Sequence, residues 1–161
     1  MQTEYTVYTD GSCRGNGKDG SVGGWAYVII SEGKIVWQGS GGEKATTNQR
    51  MELLAAINAC QKAMELNPFA KIKLYSDSAY MINCKNQNWY KNWERNGWMN
   101  SKKQPVANPD LWKQLIGYFD NEEQFNFIKV KGHAGKTEQE KWNELVDSLA
   151  VEAAKHCSER S

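Results

Sequence analysis

Two hydrophobic periods follow one another along this chain, and their order restricts it to a mixed α/β fold. A period of two residues, typical of β-strands, occurs at residues 5–10, 25–30, 34–39, 71–76 and 124–130. Helical segments with a period of 3.6 are predicted from residue 48 to about 67, at 78–97 with an interruption, at 108–119, and from 137 onwards. Three successive strands favour an antiparallel meander, whereas strands separated by helices favour parallel pairing with helices over the sheet. We therefore predict one α/β domain with a mixed sheet.

Size and composition agree with a single intracellular domain. A chain of 161 residues supports one compact core. No apolar run approaches the roughly 20 residues of a membrane-spanning helix, and the first strand begins without the pattern of a secretory signal. The cysteines lack paired spacing, which indicates reduced thiols and predicts a cytoplasmic protein without a membrane partner: Cys13, Cys60, Cys84 and Cys157.

Four acidic residues stand at positions where carboxylates are unusual in a structural role. Each also has an ordinary explanation. Asp10 could form a turn at a strand end. Glu52 could interact favourably with the dipole at the start of its helix, and Asp77 could cap the next helix. Asp147 could be a solvated acid on the last helix. Glu52 borders the apolar stripe of its helix instead of the solvent face, which favours a functional role. For each acid taken alone, the ordinary and the functional explanation both stay open.

Taken together, the four acids indicate a metal site. Two strand ends and two helices could bring Asp10, Glu52, Asp77 and Asp147 to one place. Clustered carboxylates repel one another unless one is protonated or a cation lies between them. Hard oxygen ligands favour Mg²⁺, with Mn²⁺ as a possible substitute.

A basic, tryptophan-containing segment indicates an anionic partner. Residues 85–103 contain five basic residues against one acid, although the whole chain carries a net charge of only +1. Trp89 and Trp93 are one helical turn apart, and Trp98 follows. The tryptophans could pack a small local core. With the surrounding basic residues, they could also bind phosphates and flat bases.

Five motifs in order resemble those of type 1 ribonuclease H, and they cover residues from about 4 to 155. They are YTDGS at 8–12, TTNQRMEL at 46–53, YSDS at 75–78, KGHAG at 131–135 and NELVDSLA at 143–150. The resemblance implies the ribonuclease H-like fold, a five-stranded mixed sheet with helices on both faces. It also implies that residues 1–161 form one catalytic domain carrying an inserted basic handle, which we define as residues 85–103.

The resemblance further implies an endoribonuclease that hydrolyses the RNA strand of RNA/DNA hybrids as a monomer. Asp10, Glu52, Asp77 and Asp147 would bind two ions per site in the substrate complex. One ion would activate water and the other would stabilise the leaving 3′ oxygen, giving 5′-phosphate and 3′-hydroxyl ends. His133, in a loop between glycines, would transfer protons near neutral pH, whereas an exposed loop histidine is the ordinary alternative.

Substrate contacts implied by the same match divide between the two strands of the hybrid. Trp89, Trp93 and Ser101 would line a DNA channel, and Thr47 with Asn108 would hold a DNA phosphate. The 2′-hydroxyls of the RNA would be contacted by residues beside the carboxylates: Gly11, Ser12, Asn16, Asn48 and Gln49. We predict that the glycine-rich stretch 11–24 is a turn that lets backbone approach the minor groove. We expect no separate hybrid-binding domain before the first strand, and we therefore expect the handle to bind the substrate.

Three departures from the family pattern bear on these predictions. The family's fourth carboxylate is expected about ten residues after the histidine, but that position is Asn143. The surrounding motif instead assigns the fourth carboxylate to Asp147, which implies four extra residues in the loop after His133. Ala79 stands where related proteins often have a glutamine that contacts RNA. Glu94 lowers the net positive charge of the handle. Two alternatives stay open: a resolvase-like or integrase-like nuclease of the same broad fold, and a hybrid-binding module without catalysis.

Overall fold

The computed structural model describes residues 2–15, 19–130 and 138–159. Ten elements follow one another in these residues: β1 (Glu4–Arg14), β2 (Val22–Ser31), β3 (Lys34–Lys44), α1 (Asn48–Leu66), β4 (Lys71–Ser76), α2 (Ala79–Asn86), α3 (Trp89–Arg95), α4 (Pro109–Phe119), β5 (Phe125–Lys129) and α5 (Glu138–Glu159). The predicted order of strands and helices is confirmed.

The five strands form one mixed sheet in the order β3-β2-β1-β4-β5. The β1–β2 and β2–β3 pairs are antiparallel, whereas the β1–β4 and β4–β5 pairs are parallel. Hairpin loops can join the first three strands, but each parallel pair requires a helical crossover. The parallel register sets Thr9 opposite Ser76, so that β1 and β4 carry their next residues to the same edge of the sheet.

Helices cover both faces of the sheet, because the apolar side chains of each strand alternate. Val7 and Leu74 face the larger core, which also contains α1 and α4 side chains. Tyr8 and Val28 face a smaller core, where they pack with Val146 of α5. The predicted five-stranded mixed sheet with helices on both faces is therefore confirmed.

The predicted end of the first strand is wrong. β1 continues beyond Asp10 as far as Arg14, and it pairs with β2 from Val22 onwards. Residues 11–14 and 22–24 of the predicted turn are thus two paired strands. Gly11 and Gly24 lie against the backbone of neighbouring helices, where a side chain would not fit. The ladder of inter-strand hydrogen bonds outweighs their low strand propensity.

The helical predictions hold, with one difference at a cap. α2 and α3 are separated at Asn88, whose φ of 57° lies in the left-handed region, so the predicted interruption is confirmed. Asn108 stands at the N-cap of α4 as predicted, but with a φ of 57° its side chain makes no capping hydrogen bond. The predicted capping residue at 137 lies outside the described residues. Within the described part of the chain, no helix combines the length and apolarity needed to cross a bilayer.

Candidate active site

Three carboxylates from three elements meet at the edge where β1 and β4 lie side by side. Asp10 belongs to β1, Asp77 follows the last residue of β4, and Glu52 projects from α1. One carboxylate oxygen from each of these residues lies within 4.8 Å of the others. Asp10 and Glu52 are both only 4% exposed, whereas Asp77 is exposed.

Close contact between β1 and α1 brings Asp10 and Glu52 together, and Gly11 makes this contact possible. A Cβ atom at Gly11 would lie 2.6 Å from the Glu52 backbone nitrogen, a distance that real side chains do not tolerate. The Gly11 N–H donates to Glu52 Oε1 at 2.6 Å and to Asp10 Oδ1 at 2.9 Å. Glycine at this position therefore allows the two carboxylates to share a backbone donor.

A second close contact places the helix that carries the fourth acid directly on the sheet. A side chain at Gly24 of β2 would collide with the backbone of Ala150 and Ala154 in α5, so glycine lets α5 lie directly on the sheet. Asp147 of this helix is exposed, and its charge adds to burial in raising the pKa of Asp77. Asp147 therefore lies near enough to influence the cluster, whereas the carboxylate oxygens within 4.8 Å of one another come from Asp10, Glu52 and Asp77.

The carboxylates of the cluster hold their protons more tightly than ordinary carboxylates do. Burial, reinforced by the charges of Glu52 and Asp77, raises the pKa of Asp10 well above its usual range. Burial also raises the pKa of Glu52, and to a lesser extent that of Asp77. Negative charge gathered in such surroundings is unfavourable without a compensating cation. The oxygen-only donor set fits a hard divalent cation.

The ordinary explanations of two acids do not agree with the structure. Ser78, and not Asp77, is the N-cap of α2, and its hydroxyl accepts from Met81 N. Glu52 lies beyond the first turn of α1, in which no acid is found, so a contact with the helix dipole does not account for it. Both side chains instead contribute an oxygen to the carboxylate cluster.

The handle carries an open cavity of about 520 Å³. Trp89, Trp93 and Ser101 line it together with Tyr80 and Lys102, among other residues. Trp93 is only 7% exposed and packs edge-on against Trp112, so it is also part of the core. The structure therefore places all three predicted channel residues on one cavity and assigns one of them a packing role as well.

One basic residue of the handle is engaged elsewhere. Lys85 forms an ion pair with Glu122, at 2.5 Å, and lines a different cavity at the other end of β4. Four further basic residues belong to the handle, and all are exposed: Lys91, Arg95, Lys102 and Lys103. The positive charge that faces an anionic ligand at the tryptophan cavity is therefore smaller than the sequence count indicates.

Thr47 and Asn108 are joined through a residue that the sequence did not single out. The Thr47 hydroxyl caps α1 by accepting from Arg50 N, and Arg50 Nη1 donates to Asn108 Oδ1 at 3.2 Å. Arg50 Nε also forms an ion pair with Glu43 at 2.6 Å. Its place inside the TTNQRMEL motif is the one feature of the sequence that could have indicated a functional role for Arg50. A cationic group thus stands beside both predicted phosphate contacts.

The remaining predicted contacts lie near the carboxylates or outside the described residues. Gly11 and Ser12 are half-buried in β1, and Asn48 and Gln49 are exposed in the first turn of α1. Asn16 and His133 lie outside the described residues. Ser76, which was not predicted, is fully buried and its hydroxyl lies 3.4 Å from Glu52 Oε2.

A mixed sheet that carries one carboxylate within a strand and another directly after the neighbouring parallel strand is typical of metal-dependent α/β enzymes. Comparison with known proteins identifies the family. The family model described as RNase H matches residues 2–155. The Ribonuclease H of Syntrophomonas wolfei is 46% identical over 152 residues, which cover 94% of this chain and 97% of that protein. The chain therefore belongs to the RNase H family, and its enzymatic class is that of the ribonucleases H.

Solved structures agree with this assignment. LC9-RNase H1, a type 1 RNase H, superposes with a TM-score of 0.78 at 29% identity, covering 97% of this chain and 74% of that one. The foamy viral protease-reverse transcriptase in complex with an RNA/DNA hybrid matches with a TM-score of 0.80 at 22% identity. That match covers 95% of this chain and 20% of that one, and it shows the shared fold.

Proposed function

We propose that this protein is an endonuclease that hydrolyses the RNA strand of RNA/DNA hybrids and leaves 5′-phosphate and 3′-hydroxyl ends. The carboxylate cluster formed by Asp10, Glu52 and Asp77 carries the proposal, because it stands on the same protein as a cavity lined by two tryptophans and Lys102. Family membership supports it, as does the hybrid bound by a protein of the same fold.

The proposed cofactor is Mg²⁺, with Mn²⁺ as a substitute and two ions in the substrate complex. Asp10, Glu52, Asp77 and Asp147 would hold them. Bound ions of this kind supply an activated water and stabilise the charge on a leaving oxygen. The carboxylates orient their oxygens toward one point, and burial of Asp10 and Glu52 excludes bulk water from one side of it.

Recognition of RNA is proposed to occur on the groups around the cluster. The Gly11 backbone, the Ser12 hydroxyl, and the amides of Asn16, Asn48 and Gln49 can donate to or accept from a 2′-hydroxyl, which DNA lacks. His133 would move a proton at the scissile phosphate, a role suited to imidazole near neutral pH.

The DNA strand is proposed to follow the handle. Trp89 and Trp93 offer aromatic faces and Ser101 a hydroxyl on one cavity. Thr47 and Asn108 would hold a phosphate whose charge Arg50, hydrogen-bonded to Asn108, partly balances. Contacts of this kind neutralise phosphates without reading sequence.

One copy of the chain contains all four proposed ligands, so we propose that it acts as a monomer. Residues 1–161 would form a single catalytic domain into which the handle is inserted. All four cysteines are free thiols, and two of them, Cys60 and Cys84, are buried. Free thiols are compatible with the proposed cytoplasmic location.

The test uses a labelled RNA strand annealed to DNA, annealed to RNA, or single-stranded, with Mg²⁺ or with chelator. We expect cleavage of the hybrid alone, lost with chelator and in Asp77→Asn, which controls for contaminating nuclease. Mapping the product ends by ligation and phosphatase sensitivity tests the end chemistry. Binding of the hybrid without cleavage in Mg²⁺ and in Mn²⁺ would favour a binding module, and cleavage of a DNA-only duplex would favour a resolvase-like nuclease.

A further inference from the structure

Both oxygens of the Glu52 carboxylate are held by hydrogen bonds from β1 and β4. The Gly11 N–H donates to Oε1 at 2.6 Å. The Ser76 hydroxyl donates to Oε2 at 3.4 Å. A carboxylate bound through both oxygens cannot rotate about its last bond without losing a partner. The orientation of Glu52 is therefore fixed from two neighbouring strands.

The Ser76 hydroxyl is also bound on its other side. Its oxygen accepts from the Ser78 N–H at 3.0 Å. Because a hydroxyl has one proton and two lone pairs, it can donate to Glu52 while it accepts from Ser78. This second bond closes a tight turn around Asp77. A single buried oxygen thus connects Glu52 to the turn that carries Asp77.

The backbone of Ser76 leaves the hydroxyl little freedom to move. Its carbonyl accepts from Val130 N at 2.9 Å, and its Cα is in register with Thr9 of β1. The side chain is 0% exposed, so water cannot replace either of its partners. The position of the hydroxyl is consequently set by the sheet.

We propose that Ser76 is a positioning residue, which holds Glu52 and the Asp77 turn in a single geometry suited to a divalent cation. This inference rests on the proposed function, because it takes Glu52 and Asp77 as ligands. Ser76 itself touches neither the cation nor the substrate. Without its hydroxyl, the repelling carboxylates would rotate apart in the metal-free protein, and cation binding would have to restore their arrangement.

A serine that only stabilises the fold would behave differently, and Ser21 provides the matched control. Ser21 is 1% exposed, and its hydroxyl also makes two hydrogen bonds, both to the backbone of Thr46. Ser21→Ala and Ser76→Ala therefore remove the same number of buried hydrogen bonds. Only Ser76→Ala removes one from a carboxylate of the cluster.

The experiment measures Mg²⁺ binding to the substrate-free protein by calorimetric titration, together with thermal unfolding and Mg²⁺-dependent cleavage. We expect Ser76→Ala to weaken Mg²⁺ binding about 10-fold, the scale typical for a hydrogen bond that orients a metal ligand. Cleavage should need correspondingly more Mg²⁺, with kcat at saturating Mg²⁺ within about threefold of wild type. Ser76→Thr, which keeps the hydroxyl, should restore the affinity. Ser21→Ala should lower Tm while leaving Mg²⁺ affinity unchanged.

Unchanged Mg²⁺ affinity in Ser76→Ala, with a fall in Tm equal to that of Ser21→Ala, would overturn the inference and leave the proposed function intact. If wild type and Asp10→Asn bound Mg²⁺ equally well, the metal assignment and the inference would both fail. Ser76→Cys, which has a similar size but a weak donor, replaces the alanine variant if that variant does not fold. The same loss of Mg²⁺ affinity is expected from it.

Discussion

The carboxylate cluster and the handle are built in opposite ways. Asp10 and Glu52 are buried and positioned by backbone contacts at Gly11. The handle cavity is open and lined by large side chains such as Trp89 and by exposed Lys102. Buried charges in fixed positions suit chemistry, which depends on ångström-scale geometry. Exposed aromatic and basic groups suit binding, where many weak contacts add up. Substitutions in the cluster should therefore affect the chemical step, and those in the handle should affect affinity.

The largest effect is expected from Asp10→Asn. Replacing one charged ligand by a neutral amide should lower kcat about 10³-fold, corresponding to several kcal/mol of lost charge stabilisation. The KM for the hybrid should change little, because the handle is intact. Steady-state cleavage measurements check both values.

Asp10→Asn should also stabilise the metal-free fold. Burial raises the pKa of Asp10, so the metal-free fold must keep this carboxyl protonated at a pH where the unfolded chain ionises it. A neutral amide removes that cost, and Tm without Mg²⁺ should rise by a few degrees. An equal loss of activity together with a lower Tm would indicate that Asp10 is needed for folding instead of for chemistry.

Tryptophan substitutions should separate binding from packing within the handle. Trp89→Ala should weaken hybrid binding about 10-fold, the scale of one lost stacking contact, with kcat unchanged. Trp93→Ala should do the same and also cost about 3–5 kcal/mol of unfolding free energy, because Trp93 is 7% exposed and packs on Trp112. Fluorescence anisotropy and denaturant unfolding give the two quantities. A loss of kcat in Trp89→Ala would break the division between the two regions.

The comparison also shows what can be read from the sequence. The convergence of Asp10, Glu52 and Asp77 was predictable, because strand ends and helix faces follow from hydrophobic periods. The continuation of β1 to Arg14 could not be predicted. A glycine that packs closely against neighbouring backbone looks the same in the sequence as a glycine in a turn. The partner of Lys85, Glu122, lies beyond α4 and becomes visible only after folding.

The hydrogen bonds that support the site were equally inaccessible to sequence reasoning. Ser76 resembles any small residue at a strand end, and its contact with Glu52 depends on how α1 packs against β4. Arg50 was visible as a motif member, but its contacts with Glu43 and Asn108 depend on the tertiary positions of β3 and the loop before α4. Local propensity predicts elements, whereas such partners require the packed structure.

Metal and pH should act together on stability. Burial raises the pKa of Asp10, Glu52 and Asp77 in the folded state, so the folded protein binds protons more tightly than the unfolded chain. Without metal, stability from this source is fully present below the ordinary carboxyl pKa of about 4. It is lost as the pH rises through the raised folded-state pKa values, about 7 for Glu52 and about 10 for Asp10. Mg²⁺ should therefore raise Tm by a few degrees at pH 8 and by less at pH 5. Calorimetric scans with Mg²⁺ and with chelator measure this difference, and the opposite pH trend would contradict it.

A small increase in affinity is expected from Glu43→Gln. This change removes the 2.6 Å ion pair of Arg50 and leaves the longer 4.0 Å contact with Asp110, so more of the charge of Arg50 becomes available to a phosphate. Hybrid affinity at low salt should rise about two- to threefold, with a steeper salt dependence. Glu32→Gln, in the exposed turn between β2 and β3, controls for the change in net charge. An equal gain in both variants would show that Arg50 is not involved.

The most direct test of the central claim is to locate the metal. Crystals soaked in Mn²⁺ should show an anomalous-difference peak within coordination distance of Asp10, Glu52 and Asp77, and the peak should vanish in Asp10→Asn. A peak at that position would establish that the three carboxylates form a metal centre. Full Mn²⁺ occupancy elsewhere, with none between these carboxylates, would contradict the account.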